Sequence, residues 1–399
     1  MQSLIKPDDT WLLWSVILSG VALSIWLEQT YTWAAKVSGP VLALCLAMIL
    51  ANLKLMPPAS PVYGVIEDRL VPLALPLLLF RANVFNIIRT TGWLFLAFHI
   101  AAVGTVVGAV AASFAIGDAM PSTAQAAGVM TASYIGGGIN FFAVANSYQM
   151  DKNVTNPLLV ADNFIMAGMF LVLFLICRSP WFRRHYPHPD SVDAVDSRQL
   201  AAEHWRRKEI SLLDIAACLA VAVAVVAVAE LSAGAVKQAF AGAKLSPALI
   251  DLLANRFVHI TLWSTVVATF FHRQLERIHG AEEMGAYLLY IFLFAIGLPA
   301  DLYTVFSQVP LMFVFCLIIA VANLVITFAV GRLFKLNLEH LALAVNATLG
   351  GPPTAAAMAI SMGWSRLVLP ALLIGIWGYT IGTAVGLAVG HFVGLWLVP

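Results

Sequence analysis

Apolar residues run along this chain in long stretches of about 20, separated by short polar clusters, and a helix needs stretches of that length to cross a bilayer. The pattern predicts spans at roughly 11–28, 38–54, 63–81, 92–116, 121–148, 155–177, 211–233, 252–271, 284–301, 308–333, 339–363 and 365–396. Two of the twelve are interrupted. TASYIGGGINFFAVAN, Thr131 to Asn146, carries three consecutive glycines, and each glycine in a helix centre costs roughly 1 kcal/mol relative to Ala. VNATLGGPPTAAAMA, Val345 to Ala359, carries Gly350-Gly351 followed by Pro352-Pro353. In lipid a broken backbone is tolerated only where protein or a water-filled cavity covers it. Two interrupted segments at corresponding places in two halves point to the binding site of a secondary transporter.

The halves look duplicated. The stretch 67–85 resembles 282–306, each with an acidic pair, an apolar helix and a polar turn. A long apolar helix, the broken helix and a Pro-led helix follow in both halves, the last pair being NPLLVADNFIMAG and LPALLIGIWGYTIG. Four elements matching in order signal an internal repeat. The expected organisation is a first repeat over 1–177, a linker over 178–210 and a second repeat over 211–399. The linker holds seven of the 22 basic residues (Arg178, Arg183, Arg184, Arg198, Arg206, Arg207, Lys208), so the positive-inside rule makes it cytoplasmic. Inverted repeats need an odd number of crossings between mates, whereas twelve spans put six between the helices at 63 and 284. The stretch 234–283, diluted by Lys237, Lys244, Asp251, Asn255, Arg256 and His259, is where an amphipathic helix or an extra or missing pass would change that parity. About 10–13 transmembrane helices are therefore expected, all α.

Composition sharpens the class. The 399 residues are 61% hydrophobic and 11% charged, against about 25% charged in soluble proteins, and long runs exclude the short alternating strands of a membrane β-barrel. A net charge of +1 leaves no basic surplus for nucleic acid. Cys45, Cys177, Cys218 and Cys316 form no CxxC and read as small apolar filler. Asp8 and Asp9 precede the first span, where a cleaved signal would be basic. Trp11, Trp14, Trp26, Trp33, Trp93, Trp364 and Trp396 lie near span ends as an aromatic belt. No P-loop, HExxH, GxSxG or Ser/His/Asp arrangement supports an enzyme, and no metal-ligand cluster stands out.

Candidate chemistry gathers at the breaks. A half-helix amino terminus carries free N–H groups and about half a positive charge, enough to hold a carboxylate without Arg or Lys. Gly136, Gly137, Gly138, Gly350 and Gly351 would let a solute approach the backbone, with Ser133, Asn140, Asn346 and Thr354 beside them. Thr131, Thr348, Asp162 and Asn163 are the candidates for the coupling ion. The glycines could instead serve close helix packing, and the hydroxyls and amides could merely satisfy freed backbone. Asp162, a third of the way into an apolar helix, is the sharpest candidate, because a carboxylate at mid-membrane costs about 2.5–3.5 kcal/mol and faces the bundle. A structural hydrogen bond to the broken helix is its alternative reading. His99 reads as a packed, hydrogen-bonded histidine. Arg81 and Asp301, at matching helix ends, could be gates or interfacial residues. Glu67, Asp68, Glu282 and Glu283 are expected to open matching helices.

Two glycine-broken helices, each followed by a Pro-led helix, with Asp162-Asn163 on the first of these, resemble the cation:proton antiporter and anion transporter superfamily. Within it, residues 10–396 resemble the YjcL-like membrane proteins (domain of unknown function family 819). The superfamily resemblance implies an inverted-repeat fold with a panel domain and a transport core. Solute and ion would bind where the broken helices cross, and the core would move as an elevator or by rocking. Antiporters of that superfamily carry an Asp-Asp or Asn-Asp pair where this chain has Asp162-Asn163 in reversed order, which by resemblance makes Asp162 the ion or proton carrier. The expected function is secondary transport of a small organic anion or amino-acid-like solute, coupled to Na⁺ or H⁺, in the cell (inner) membrane. A Na⁺/H⁺ antiporter and a passive channel are the alternatives. One mid-span Asp and no mid-span Lys favour a solute symporter. The expected partners are the solute and the lipid bilayer, with a homodimer left open and no cofactor beyond the ion.

Overall fold

The computed structural model describes residues 3–31, 34, 39–187, 209–240, 250, 252–299 and 302–397. Among them there is no β-strand, and each of the twelve apolar stretches holds a helix. In chain order these are α1 (Thr10–Thr30), α2 (Gly39–Asn52), α3 (Pro61–Val65) joined through a π turn (Ile66–Leu70) to α4 (Val71–Leu78), α5 (Val84–Thr91), α6 (Trp93–Ile116), α7 (Thr123–Ser147), α8 (Lys152–Arg178), α9 (Pro180–His185), α10 (Leu212–Ala239), α11 (Arg256–Phe270), α12 (His272–Leu275), α13 (Ala281–Gly297), α14 (Leu302–Leu333), α15 (Leu338–Ser361) and α16 (Val368–Leu397). Seven are long and apolar enough to cross a membrane: α1, α6, α7, α8, α10, α14 from Pro310 and α16 to Trp396. At 15 residues, α11 is about 22 Å long and falls short of the roughly 30 Å hydrocarbon core.

Polar residues at the boundaries stop and start these helices. Asp151 caps α8 by accepting from the Asn153 amide at 2.8 Å, and Asn255 caps α11 through the Phe257 amide at 2.9 Å. Ser211 and Asp214 close a capping box at the head of α10. Each satisfies amides that a helix start leaves open.

Two groups of helices emerge from the packing. α6, α7, α8, α14, α15 and α16 pack most extensively on one another and carry most of the fully buried residues, including Phe98, Tyr134, Phe141 and Phe315. α1, α2, α4, α10, α11 and α13 form a second set. Within the first group, small residues bring backbones together. A Cβ on Gly386 of α16 would lie 2.6 Å from the Gly128 carbonyl oxygen of α7, and one on Gly108 of α6 would lie 2.9 Å from Ile319 Cα of α14. Without a hydrophobic drive between helices in lipid, such contacts supply the packing energy.

One expectation about helix starts changes. Glu282 and Glu283 do sit in the first turn of α13, but Glu67 and Asp68 lie in the π turn. The preceding helix starts earlier, at Pro61, where Ser60 accepts from the Val62 amide at 3.2 Å. A Ser-Pro start outcompetes a helix beginning at the acids because Pro favours the first helical position. Of the linker, residues 188–208 lie outside the described residues, and Tyr186 and Pro187 dock on the second half. The Tyr186 hydroxyl donates to the Phe328 carbonyl at 3.1 Å, and the Leu338 amide donates to the Pro187 carbonyl at 3.0 Å.

Candidate functional site

Gly137 leaves helical geometry with φ 69° and ψ −175°, and Gly351 does the same with φ 76° and ψ −169°. Side chains clash in this region, which is essentially confined to glycine. The two turns face each other. A Cβ on Gly137 would lie 3.7 Å from Gly351 Cα and 3.3 Å from the Tyr379 ring, and one on Gly351 would lie 3.5 Å from the same ring. Tyr379 of α16 thus sits against both turns, a position that the sequence reading missed.

The residues around the two turns match as well. A Cβ on Gly136 would collide with the Asn140 side chain, and one on Gly350 with the Thr354 side chain. Asn140 Nδ2 donates to the Gly378 and Tyr379 carbonyls at 3.2 and 3.1 Å, while Thr354 Oγ1 donates to the Gly351 carbonyl at 3.1 Å. Gly138 differs from its neighbours. It is exposed in an otherwise buried stretch, and a Cβ there would meet nothing nearer than Phe142 at 3.9 Å. The half-helix after Gly137 begins with the N–H groups of Gly138, Ile139 and Asn140. The half-helix after Gly351 begins with Pro352 and Pro353, which have no N–H to offer. Donors for an anion are therefore concentrated at the first break.

Breaking a helix also frees carbonyls, and these are met by side chains. Tyr134 departs from helical geometry (φ −86°, ψ 16°), and its carbonyl accepts from Thr105 Oγ1 at 2.9 Å. Asn323 Nδ2 lies 2.8 Å from Thr105 Oγ1 and 3.0 Å from Thr348 Oγ1. Thr348 Oγ1 in turn donates to the Val345 carbonyl at 2.9 Å. With two N–H groups, Asn323 ties the first break to the helix turn preceding the second. Thr348, expected as an ion ligand, thus has its donor committed to backbone. Neither Asn323 nor Thr105 was singled out from the sequence; an intramembrane Asn is the signal that could have found the first.

Asp162 is 6% exposed. Its Oδ2 accepts from Ser133 Oγ at 2.7 Å, just before the first break. Among the described residues no basic side chain pairs with it. The buried Tyr134 hydroxyl lies near Asp162 and Cys316 without closing a hydrogen bond to either. Asn163 does not join this group, because its Nδ2 turns back to the Leu159 carbonyl at 2.8 Å. Among the described residues, buried oxygens without a partner include Thr131 Oγ1, Asn140 Oδ1 and Asn346 Oδ1 near the breaks. A small crevice between α8 and α15 is lined by Met166, Met169, Phe170, Leu173, Asn346, Leu349, Gly350 and Thr354. Its volume of about 10 Å³ has room for about one water.

Other expectations resolve away from this centre. His99 is fully bonded, with Nδ1 2.8 Å from the Phe95 carbonyl and Nε2 3.2 Å from Trp377 Nε1. An N–H to the carbonyl and an acceptor toward the indole make it a neutral, structural imidazole. Arg81 is exposed, and Asp301 lies outside the described residues. At the end of α7, Lys152 pairs with Glu67 at 2.9 Å and Arg256 with Asp68 at 3.7 Å. Arg256 also donates to Asn146 Oδ1 at 3.0 Å, and Asn255 to Ser147 Oγ at 3.1 Å. This polar seam between the two helix groups includes Asn146, which the sequence grouped with the break.

A family model described as "Protein of unknown function (DUF819)" matches residues 15–395. The "Uncharacterized membrane protein YjcL" of Bacillus subtilis (strain 168) is 42% identical over 395 residues, covering 98% of this chain and 99% of the relative. With that likeness to a membrane protein and seven helices able to span, the chain is a multi-pass membrane protein, and it belongs to the DUF819 family.

Proposed function

We propose that this protein is a secondary active transporter, not an enzyme, moving a small organic anion or amino-acid-like solute coupled to Na⁺ or H⁺. The observation that carries the reading is the meeting of two glycine turns of the same conformation, Gly137 and Gly351, beside the buried Asp162. A carboxylate in a dry interior with one hydroxyl donor is completed by a proton or by a cation. That is the chemistry of a coupling site, with Ser133 and Thr131 as further oxygens. The solute would use the N–H groups that begin at Gly138, and approach through its exposed backbone.

The repeat organisation, 1–177 and 211–399, belongs to the same proposal. Its support is the equal spacing of the turns, 214 positions between Gly137 and Gly351 and again between Asn140 and Thr354, with matching side chains over Gly136 and Gly350. The six-helix group of α6, α7, α8, α14, α15 and α16 would be the moving core, and the second group the panel, in the manner of the cation:proton antiporter and anion transporter superfamily.

Asp162, a buried carboxylate with no basic partner among the described residues, also fits one rival, a Na⁺/H⁺ antiporter, which moves ions alone. Proteoliposomes decide between them. Uptake of a labelled solute driven by an imposed Na⁺ or pH gradient is the expected result. Gradient-driven Na⁺/H⁺ exchange without uptake of any organic acid or amino acid would favour the antiporter. Flux indifferent to both gradients would sink the reading and leave a passive channel.

A further inference from the structure

The two Pro-led helices treat their neighbouring broken helices differently. α16 lies backbone-to-backbone along α7 through Gly378, Gly382, Gly386 and Gly390, leaving no room. α8 meets α15 through long side chains, and the crevice stands between them. On α8 its lining is wholly apolar: Met166, Met169, Phe170 and Leu173. Met166, Met169 and Leu173 follow Asp162 at spacings of four, seven and eleven, so they share one helix face with it, the first of them about 6 Å along the axis. On α15 the lining is polar where it matters. Asn346 is 3% exposed, its Nδ2 is 3.4 Å from Met358 Sδ, and its Oδ1 is buried with no partner among the described residues. An unpartnered buried acceptor calls for a donor.

We propose that this crevice is the side-chain pocket of the solute site and that the solute is an amino acid with an apolar side chain, its ammonium group donating to Asn346 Oδ1. The proposal rests on the transport reading and narrows it. Two features of the ligand follow from two features of the wall. Methionine and phenylalanine side chains take an aliphatic or aromatic group and exclude a second carboxylate, which would find no donor there. Asn346 Oδ1 asks for N–H, which an amino acid has and a simple carboxylic acid lacks. The crevice is narrow, and two of the four apolar residues of α8 are methionines, whose three rotatable bonds let a pocket open around an entering group.

The test uses the full chain in detergent and in proteoliposomes, with L-leucine, L-aspartate and 4-methylpentanoate as probes. L-leucine is expected to raise the melting temperature and to be taken up. L-aspartate should do neither, and 4-methylpentanoate, which lacks the ammonium, should bind at least tenfold more weakly than L-leucine. Met169→Trp should abolish the response to L-leucine. Phe170→Ala, which enlarges the pocket, should shift preference toward L-phenylalanine and so separates pocket size from misfolding. Stabilisation by L-aspartate but not L-leucine, equal binding of 4-methylpentanoate, or a preference unchanged in Phe170→Ala would overturn the pocket. Gradient-driven uptake of a dicarboxylate alone would overturn it while leaving the transporter standing, whereas loss of all gradient dependence would remove both.

Discussion

Replacing Gly137 by Ala should destabilise the protein while replacing Gly138 by Ala should not, although the residues are adjacent. At Gly137 the backbone sits at φ 69° and ψ −175°, where a side chain costs about 1–3 kcal/mol. The new Cβ would also lie 3.3 Å from the Tyr379 ring, so the ring must shift by a few tenths of an ångström. Against this, Ala restricts the unfolded chain more than Gly does and returns about 0.4–1 kcal/mol. The net expectation for Gly137→Ala is a loss of about 1–2 kcal/mol. At Gly138 no left-handed conformation is needed and a Cβ meets nothing closer than 3.9 Å. The same unfolded-state effect then acts alone, so Gly138→Ala should be neutral or stabilising by up to about 1 kcal/mol. Thermal and denaturant unfolding of the purified chain in one detergent would read both. A Gly137→Ala protein as stable as the parent, or a Gly138→Ala protein equally damaged, would refute the assignment of strain to the first turn. Because a Cβ on Gly137 would lie 3.7 Å from Gly351 Cα and both glycines face the Tyr379 ring, Gly137→Ala combined with Gly351→Ala should be non-additive.

Other expectations follow from the same geometry. Asp162→Asn keeps an acceptor for Ser133, so the protein should purify normally while gradient-driven uptake falls at least tenfold; unchanged Na⁺- or pH-dependent uptake would remove Asp162 from the coupling site. Asn323→Leu strands the Ala101 carbonyl and the two threonines it bridges, and should lower unfolding stability by about 1–3 kcal/mol. Gly386→Val should cost about 1–3 kcal/mol or more in the same measurement, since its side chain must displace the Gly128 carbonyl. Glu67→Gln should lose no more than about 1 kcal/mol, because its pair with Lys152 is a quarter exposed on each side, and the loss should shrink as salt is added.

The sequence by itself determined the class, where along the chain the apolar helices lie and which two of them leave helical geometry at glycine. Those follow from local rules, since 20-residue apolar runs fit only a bilayer or a deep interior, and a Gly-Gly pair weakens a helix wherever it occurs. It also marked Asp162, because a carboxylate among apolar residues is costly in any fold. Only the tertiary structure decided what touches what. That Gly137 and Gly351, and not Gly136, Gly138 or Gly350, take the left-handed turns depends on Asn140 and Thr354 covering the preceding glycines and on Tyr379 lying against both. That Thr348 accepts from Asn323 and gives its own hydroxyl to the Val345 carbonyl depends on Asn323 arriving from α14. The acidic pair at Glu67 and Asp68 shows the same limit, because its basic partners, Lys152 and Arg256, stand far away in the chain. Helix propensity acts over a few residues and can be read locally. Hydrogen-bond satisfaction in a dry interior is a property of the whole packing and exists only once the helices have met.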